Sequence, residues 1–166
     1  MIFWKVCMVG ATGVGKTSLV RRFVESVFDE RYLSTIAVKV DKKVMSIRGR
    51  QVTFMLWDLA GDDDVESIRS SYLRGSAGFV VVVDGTRAAT LERARALVAR
   101  IRAEVGDQPF VVALNKTDLE AEWELDNLPP GQAPPREWTL VRTSAKTGSS
   151  VEALFASLGE KLLASL

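Results

Sequence analysis

The eight residues Gly10-Ala-Thr-Gly-Val-Gly-Lys-Thr17 set three glycines ahead of a lysine and a hydroxyl, at the spacing G-x-x-x-x-G-K-[ST]. Glycines let a backbone wrap so that successive N–H groups face inward, a concave nest of partial positive charge that suits a phosphate. Lys16 adds a flexible point charge for β- and γ-phosphates, and the Thr17 hydroxyl can ligate Mg²⁺. The groups that would meet phosphate oxygens belong to Gly13, Val14, Gly15, Lys16, Thr17 and Ser18. The context agrees: the apolar run Val6–Val9 enters the loop, and a helical pattern of Leu19, Val20, Phe23 and Val24 leaves it.

Further strings follow in chain order. Thr35 lies in the polar stretch Arg31-Tyr-Leu-Ser-Thr35, where a hydroxyl can reach Mg²⁺ and the γ-phosphate when GTP is present. In Asp58-Leu-Ala-Gly61 the carboxylate can hold Mg²⁺ through water, and Gly61 can offer its N–H to the γ-phosphate. Asn115-Lys-Thr-Asp118 carries an acid able to accept from the N1–H and N2 amine of guanine. Adenine lacks both donors and would leave that carboxylate unpaired. The Lys116 stem can lie along the base, and Asn115 can tie this loop to the phosphate loop. Within Thr143-Ser-Ala-Lys146, a backbone N–H from Ser144, Ala145 or Lys146 can reach the guanine O6. Thr35 precedes a strand, whereas the phosphate-type loop and the strings from Asp58, Asn115 and Thr143 each follow the C-terminal end of an expected strand, the position where open α/β sheets bind ligands.

Six strands are expected, at Ile2–Val9, Ala37–Ile47, Val52–Leu59, Phe79–Asp84, Phe110–Asn115 and Thr139–Thr143. The runs Phe79–Val83 and Phe110–Ala113 do not alternate, as in strands buried on both faces. The alternating pair around Arg48-Gly49-Arg50 reads as an antiparallel hairpin at the sheet edge. Helices are expected at Lys16–Glu25, Val65–Leu73, Thr90–Val105 and Val151–Leu163, with a short one near Glu120–Leu125. Strands alternating with helices make an α/β domain with a largely parallel sheet. The 166 residues, 47% hydrophobic and 26% charged, fit a single soluble domain. A net charge of +1 gives no sign of a nucleic-acid partner. The absence of histidine excludes His-based catalysis and His-ligated metals. Cys7 reads as a small buried hydrophobe, and Trp4, Trp123 and Trp138 as structural. With no leader, no membrane-length apolar stretch and no terminal cysteine for a prenyl anchor, a cytoplasmic protein without a direct membrane anchor is expected.

Taken together, the motifs identify the chain as similar to the Ras superfamily of small GTPases. The stretches Tyr32–Ile36, Leu56-Trp-Asp58, Ser70–Gly75 and Thr143–Gly148 resemble its Rab branch most. The resemblance implies a P-loop small GTPase fold: a six-stranded, mostly parallel sheet with one antiparallel edge strand and about five helices. It also implies GTP and GDP binding with Mg²⁺, slow hydrolysis, and switches at about residues 29–38 and 60–74, through which effectors, activating proteins and exchange factors would act. Phe28 would stack against the guanine edge, and Tyr32 would lie over the phosphates.

Three departures stand out. Where the family has a glutamine that orients the attacking water, this chain has Asp62, followed by Asp63 and Asp64. An ionised Asp donates no hydrogen bond, is one methylene shorter and brings negative charge toward an anionic phosphate. It hinders hydrolysis unless it is tuned to act as a base. Ala37 and Val40 stand where Rab proteins typically show glycine and phenylalanine, so Rab effector contacts do not carry over. The lack of a lipidated tail argues against a membrane-traffic role, and the three departures together suggest a soluble, stand-alone relative such as a prokaryote would carry. Trp57 serves either as edge packing or, with Val40 and Tyr72, as an effector face. Two functions remain: a slowly hydrolysing GTP switch, and a GTP-dependent binding module with negligible hydrolysis.

Overall fold

Six strands run through the computed structural model, which describes residues 1–25, 38–59 and 68–166. They are β1 (Ile2–Gly10), β2 (Val38–Ile47), β3 (Arg50–Leu59), β4 (Gly78–Asp84), β5 (Phe110–Asn115) and β6 (Leu140–Arg142). One sheet holds them in the order β2-β3-β1-β4-β5-β6, with β2–β3 antiparallel and every other pair parallel. This is the α/β small GTPase architecture implied by the resemblance. The β2–β3 hairpin turns on Arg48 (φ +50°) and Gly49 (φ +76°), the doubly left-handed pair that matches the twist of the strands it joins. Because only two residues make the turn, β3 begins at Arg50 opposite Ile47, earlier than the expected Val52.

All seven residues of β4 are buried, and so are Val111–Asn115 of β5, which explains the absence of alternation there. Around these strands lie two apolar layers. Helices α1 (Lys16–Glu25) and α4 (Val151–Ala164) cover one face, packing Leu19, Phe23, Leu154, Phe155 and Leu158 on Val6, Met8, Val80 and Val82. Phe23 and Phe155 stack with ring centroids 3.9 Å apart. On the other face, α2 (Ser70–Leu73) and α3 (Ala89–Val105) pack Leu73, Leu91, Ala94, Leu97 and Val98 on Cys7, Val9, Phe79, Val81 and Val83. Adjacent β1 residues therefore feed opposite layers, and each buried aliphatic or aromatic side chain is worth about 1.5–3 kcal/mol. Cys7 is buried as expected. Its thiol lies 3.1 Å from the Ser76 hydroxyl, and burial pushes its pKa up, which keeps it protonated.

Two expected helices are shorter than the sequence pattern suggested. The one expected over Val65–Leu73 is helical, within the described residues, only from Ser70, and Arg69 is extended. The Ile68 carbonyl is taken by the Arg100 guanidinium of α3 at 2.6 Å, a tertiary bond in place of a helical one. The short helix expected near Glu120–Leu125 is a single 3₁₀ turn, Glu120–Glu122. Trp123 leaves it in an extended conformation to lay its ring against Gly85, where an added Cβ would fall 1.9 Å from the indole. No helix among the described residues is long and apolar enough to cross a membrane.

Candidate functional site

The C-terminal ends of β1, β3, β4, β5 and β6 converge on one rim of the sheet. After β1 the chain enters α1 on one face, and after the neighbouring β4 it enters α3 on the other. Such a reversal opens a crevice at the strand ends. The loop Gly10–Gly15 fills it and runs directly into the first turn of α1, whose unsatisfied N–H groups and dipole favour an anion.

The carbonyls of this loop are held by side chains. Lys16 Nζ donates to Gly10 O (2.9 Å) and Ala11 O (3.1 Å), and Arg87 Nη2 donates to Thr12 O (2.8 Å). Lys116 Nζ donates to Gly13 O (2.9 Å), and Asn115 Nδ2 to Val14 O (3.0 Å). With five successive carbonyls engaged by donors, the groups that would repel a phosphate are occupied, and the electropositive side of the backbone suits an anion. Gly15 (φ +102°) is needed for closeness as much as for conformation, because an added Cβ would sit 2.4 Å from Asn115 Nδ2. Ser18 lies half-buried in the first turn of α1.

Asp58, at the end of β3, is 1% exposed, and its Oδ2 accepts from the Thr17 hydroxyl at 2.6 Å. The strand and the helix therefore bring together two hard oxygen donors, one of them charged. Among the described residues no three His, Cys, Asp or Glu side chains gather to hold a metal. One carboxylate beside one hydroxyl, next to a phosphate-type loop, fits Mg²⁺, which binds through few protein oxygens and completes its shell with water and phosphate.

The other side of the rim is assembled around Asn115, which is buried. Besides gripping Val14 O, it accepts through Oδ1 from Thr143 Oγ1 (3.1 Å) and the Ala145 N–H (3.3 Å). One side chain thus joins the phosphate loop, β5 and the loop after β6. Lys116 has φ +74°, a left-handed backbone costing about 1–3 kcal/mol in a non-glycine residue. The strain aims its ammonium between Gly13 O and Asp84 Oδ2, 2.8 Å away. Asp118 accepts from Ser144 Oγ at 2.7 Å, and that hydroxyl accepts in turn from the Thr147 N–H. From α1, Arg22 donates to the carbonyls of Ala145 (2.8 Å) and Lys146, bracing the loop from behind.

Lys16, Thr17, Asp58, Asn115, Lys116, Asp118, Ser144, Ala145 and Lys146 thus lie on one rim with Gly13–Gly15 and Ser18. Phe28, Tyr32, Thr35, Gly61 and Asp62 lie outside the described residues, as do Arg31, Ala37 and most of both expected switch segments. On the outer sheet face Val40, 42% exposed, is paired with Trp57. The Trp57 ring carries Lys5 Nζ at 3.8 Å and lies 6.4 Å from Tyr72.

Sequence reasoning missed Asp84, Arg87 and Arg22 as contributors. Asp84, 1% exposed, is the last residue of β4, and Asp58 is the next to last of β3, a signal that was available. Burial acts to raise its pKa, but hydrogen bonds from Lys116, Thr86 and Arg87 outweigh it, so the carboxyl is held below its ordinary value. The two arginines carried no local signal, since their targets are 75 and 123 residues away.

Residues 5–164 match the sequence model of the Ras family. A curated relative, Ras-related protein RabJ of Dictyostelium discoideum, is 31% identical over 161 residues. The alignment covers 96% of this chain, which spans 63% of the relative's length.

Proposed function

The chain belongs to the Ras family of small GTPases, and on that premise we propose that it is a guanine-nucleotide switch that binds GTP and GDP with Mg²⁺ and hydrolyses GTP slowly. One observation carries the reading. The buried Asn115 bonds the phosphate-type loop at Val14 to the segment bearing Asp118 and Ser144, so a phosphate cradle and a guanine-reading carboxylate share one frame.

In this reading the N–H groups of Gly13 to Ser18 receive the phosphates, and Lys16 turns from the carbonyls of Gly10 and Ala11 to the β- and γ-phosphates. Thr17 and Asp58, joined by Thr35 in the triphosphate state, hold Mg²⁺, Asp58 acting through water. Held there, the ion would supply positive charge to offset that of the phosphates. Asp118 accepts from guanine N1–H and N2, with Ser144 fixing its orientation. Lys116 lies along the base, and a backbone N–H of the Ser144–Lys146 loop meets O6. Phe28 and Tyr32 close over base and phosphates, and Gly61 donates to the γ-phosphate. Effectors and regulators act through the switch segments, with the apolar surface of Val40, Trp57 and Tyr72 beside them.

Asp62 sets the rate. In place of a donor that orients water, it brings a negative charge toward the γ-phosphate, which keeps intrinsic turnover low. The same residue favours a second reading, a binding module reset by exchange rather than hydrolysis. Single-turnover γ-phosphate release separates them. Measurable release that rises about ten-fold in Asp62→Gln, or ~1.4 kcal/mol off the barrier, is expected for the slow switch. No release from wild type over hours supports the module. A fall below wild type in Asp62→Gln, with GTP affinity intact, makes Asp62 a base and overturns the hindrance argument.

A further inference from the structure

We infer that Arg87 is a positioning residue that holds the phosphate loop at Thr12 and thereby sets how long the chain retains its nucleotide. The inference rests on the nucleotide-binding reading and concerns a residue outside every motif that led to it. Arg87 stands in the turn between β4 and α3. Its Nε lies 2.9 Å from Asp84 Oδ2, and its Nη2 donates to Thr12 O at 2.8 Å. The same Oδ2 holds Lys116 Nζ at 2.8 Å, and Lys116 grips the next carbonyl, Gly13 O. One buried carboxylate oxygen therefore anchors two cations that seize adjacent carbonyls of the loop.

The anchor is itself fixed. Asp84 Oδ1 accepts from both the N–H (2.9 Å) and the hydroxyl (2.7 Å) of Thr86, so the carboxylate cannot rotate without losing bonds on both oxygens. The Lys116 arm comes from the loop after β5, and the Arg87 arm from the turn before α3. Each approaches the phosphate loop from a different element, and without Arg87 the Thr12 carbonyl loses the donor anchored on Asp84.

The geometry also requires a guanidinium. A planar fork can place Nε on the carboxylate and Nη2 on the carbonyl at once, whereas a lysine presents one nitrogen with no fixed second direction. An ordinary surface ion pair would not discriminate in this way. With its side chain 46% exposed, Arg87 as a mere partner of Asp84 would contribute little and would be replaceable by lysine.

The test is the dissociation rate of a fluorescent GDP analogue chased with excess GDP, measured on the full chain for wild type, Arg87→Ala, Arg87→Lys and Arg95→Ala. Arg95 is the control because it also donates to loop carbonyls, those of Gln132 and Ala133, but away from the site. Arg87→Ala should release nucleotide about ten-fold faster, equivalent to ~1.4 kcal/mol. Arg87→Lys should remain close to Arg87→Ala, and Arg95→Ala should match wild type. Release at the wild-type rate by Arg87→Ala overturns the inference. Full rescue by lysine overturns it too, since the ion pair alone would then suffice. If Arg87→Ala does not fold, Arg87→Lys and Arg87→Gln decide the matter by the same criterion. A wild-type chain that binds no guanine nucleotide defeats the functional reading instead, so the two failures are distinct.

Discussion

Of the two halves of the proposed site, the phosphate side is one stretch of chain, residues 10–17, whereas the base side is gathered from Asn115–Asp118, Thr143–Lys146 and, through Arg22, helix α1. The first presents backbone, and its glycines matter because they keep side chains out of the way. The second presents a carboxylate whose direction depends on a hydroxyl borrowed from another loop. On the proposed function, a phosphate is met by many weak donors, while a base is identified by one acid at one angle. Affinity and specificity then fall to different parts of the rim, joined by Asn115.

Removing that joint should give the largest effect. Asn115→Ala leaves the Val14 carbonyl, the Thr143 hydroxyl and the Ala145 N–H without this partner in a buried place. At about 1–3 kcal/mol for each group abandoned, less whatever the loops recover by relaxing, a loss of roughly 3–5 kcal/mol is expected. Urea unfolding of the protein checks the stability, and GDP titration should show affinity falling with it. Stability within about 1 kcal/mol of wild type would mean that the two halves are not coupled through this side chain.

Next comes Lys16→Ala, a blow to the phosphate half alone. Loss of its charge-assisted contacts should weaken GDP binding roughly ten- to a hundred-fold, about 1.5–3 kcal/mol. The loss should be the same for other purine diphosphates, because base reading is untouched. Calorimetry with GDP and XDP tests it, and unequal losses for the two would break the division of labour.

The smallest effect concerns Asp84, beneath both halves. Its carboxyl pKa is lowered on folding, so its contribution is fully present above the ordinary carboxylate range and is lost as pH falls through its lowered value. Stability should therefore decline on the acid side, below about pH 4, with a steeper limb in wild type than in Asp84→Asn. Urea midpoints measured from neutral to acid pH would show it, and parallel limbs would remove Asp84 from the account.

The two halves also differed in how far they were legible in sequence. The loop Gly10–Thr17 and the acids at strand ends are local patterns with a fixed relation to the backbone, as are the unalternating strand Phe79–Val83 and the hairpin at Arg48-Gly49. Where a tertiary partner decides the outcome, sequence falls short. The helix expected from Val65 is extended at Arg69 beside a carbonyl held by Arg100, and Trp123 ends a 3₁₀ turn to lie on Gly85. Arg22 and Arg87 look like ordinary surface charges until the fold brings them to carbonyls of distant loops. The strain at Lys116 likewise follows from its contacts with Gly13 and Asp84 and from no feature of the string Asn-Lys-Thr-Asp.

The central claim is that Asp118 reads guanine on a frame shared with the phosphate loop, and a competition between GDP and XDP tests it most directly. In Asp118→Asn the amide donates where the carboxylate accepted, which suits the extra carbonyl of xanthine. Wild type should rank GDP above XDP. The variant should invert that order, a shift of at least about 1.4 kcal/mol in relative affinity, with XDP held on an intact phosphate loop. A variant that still ranks GDP far above XDP would show that Asp118 does not read the base.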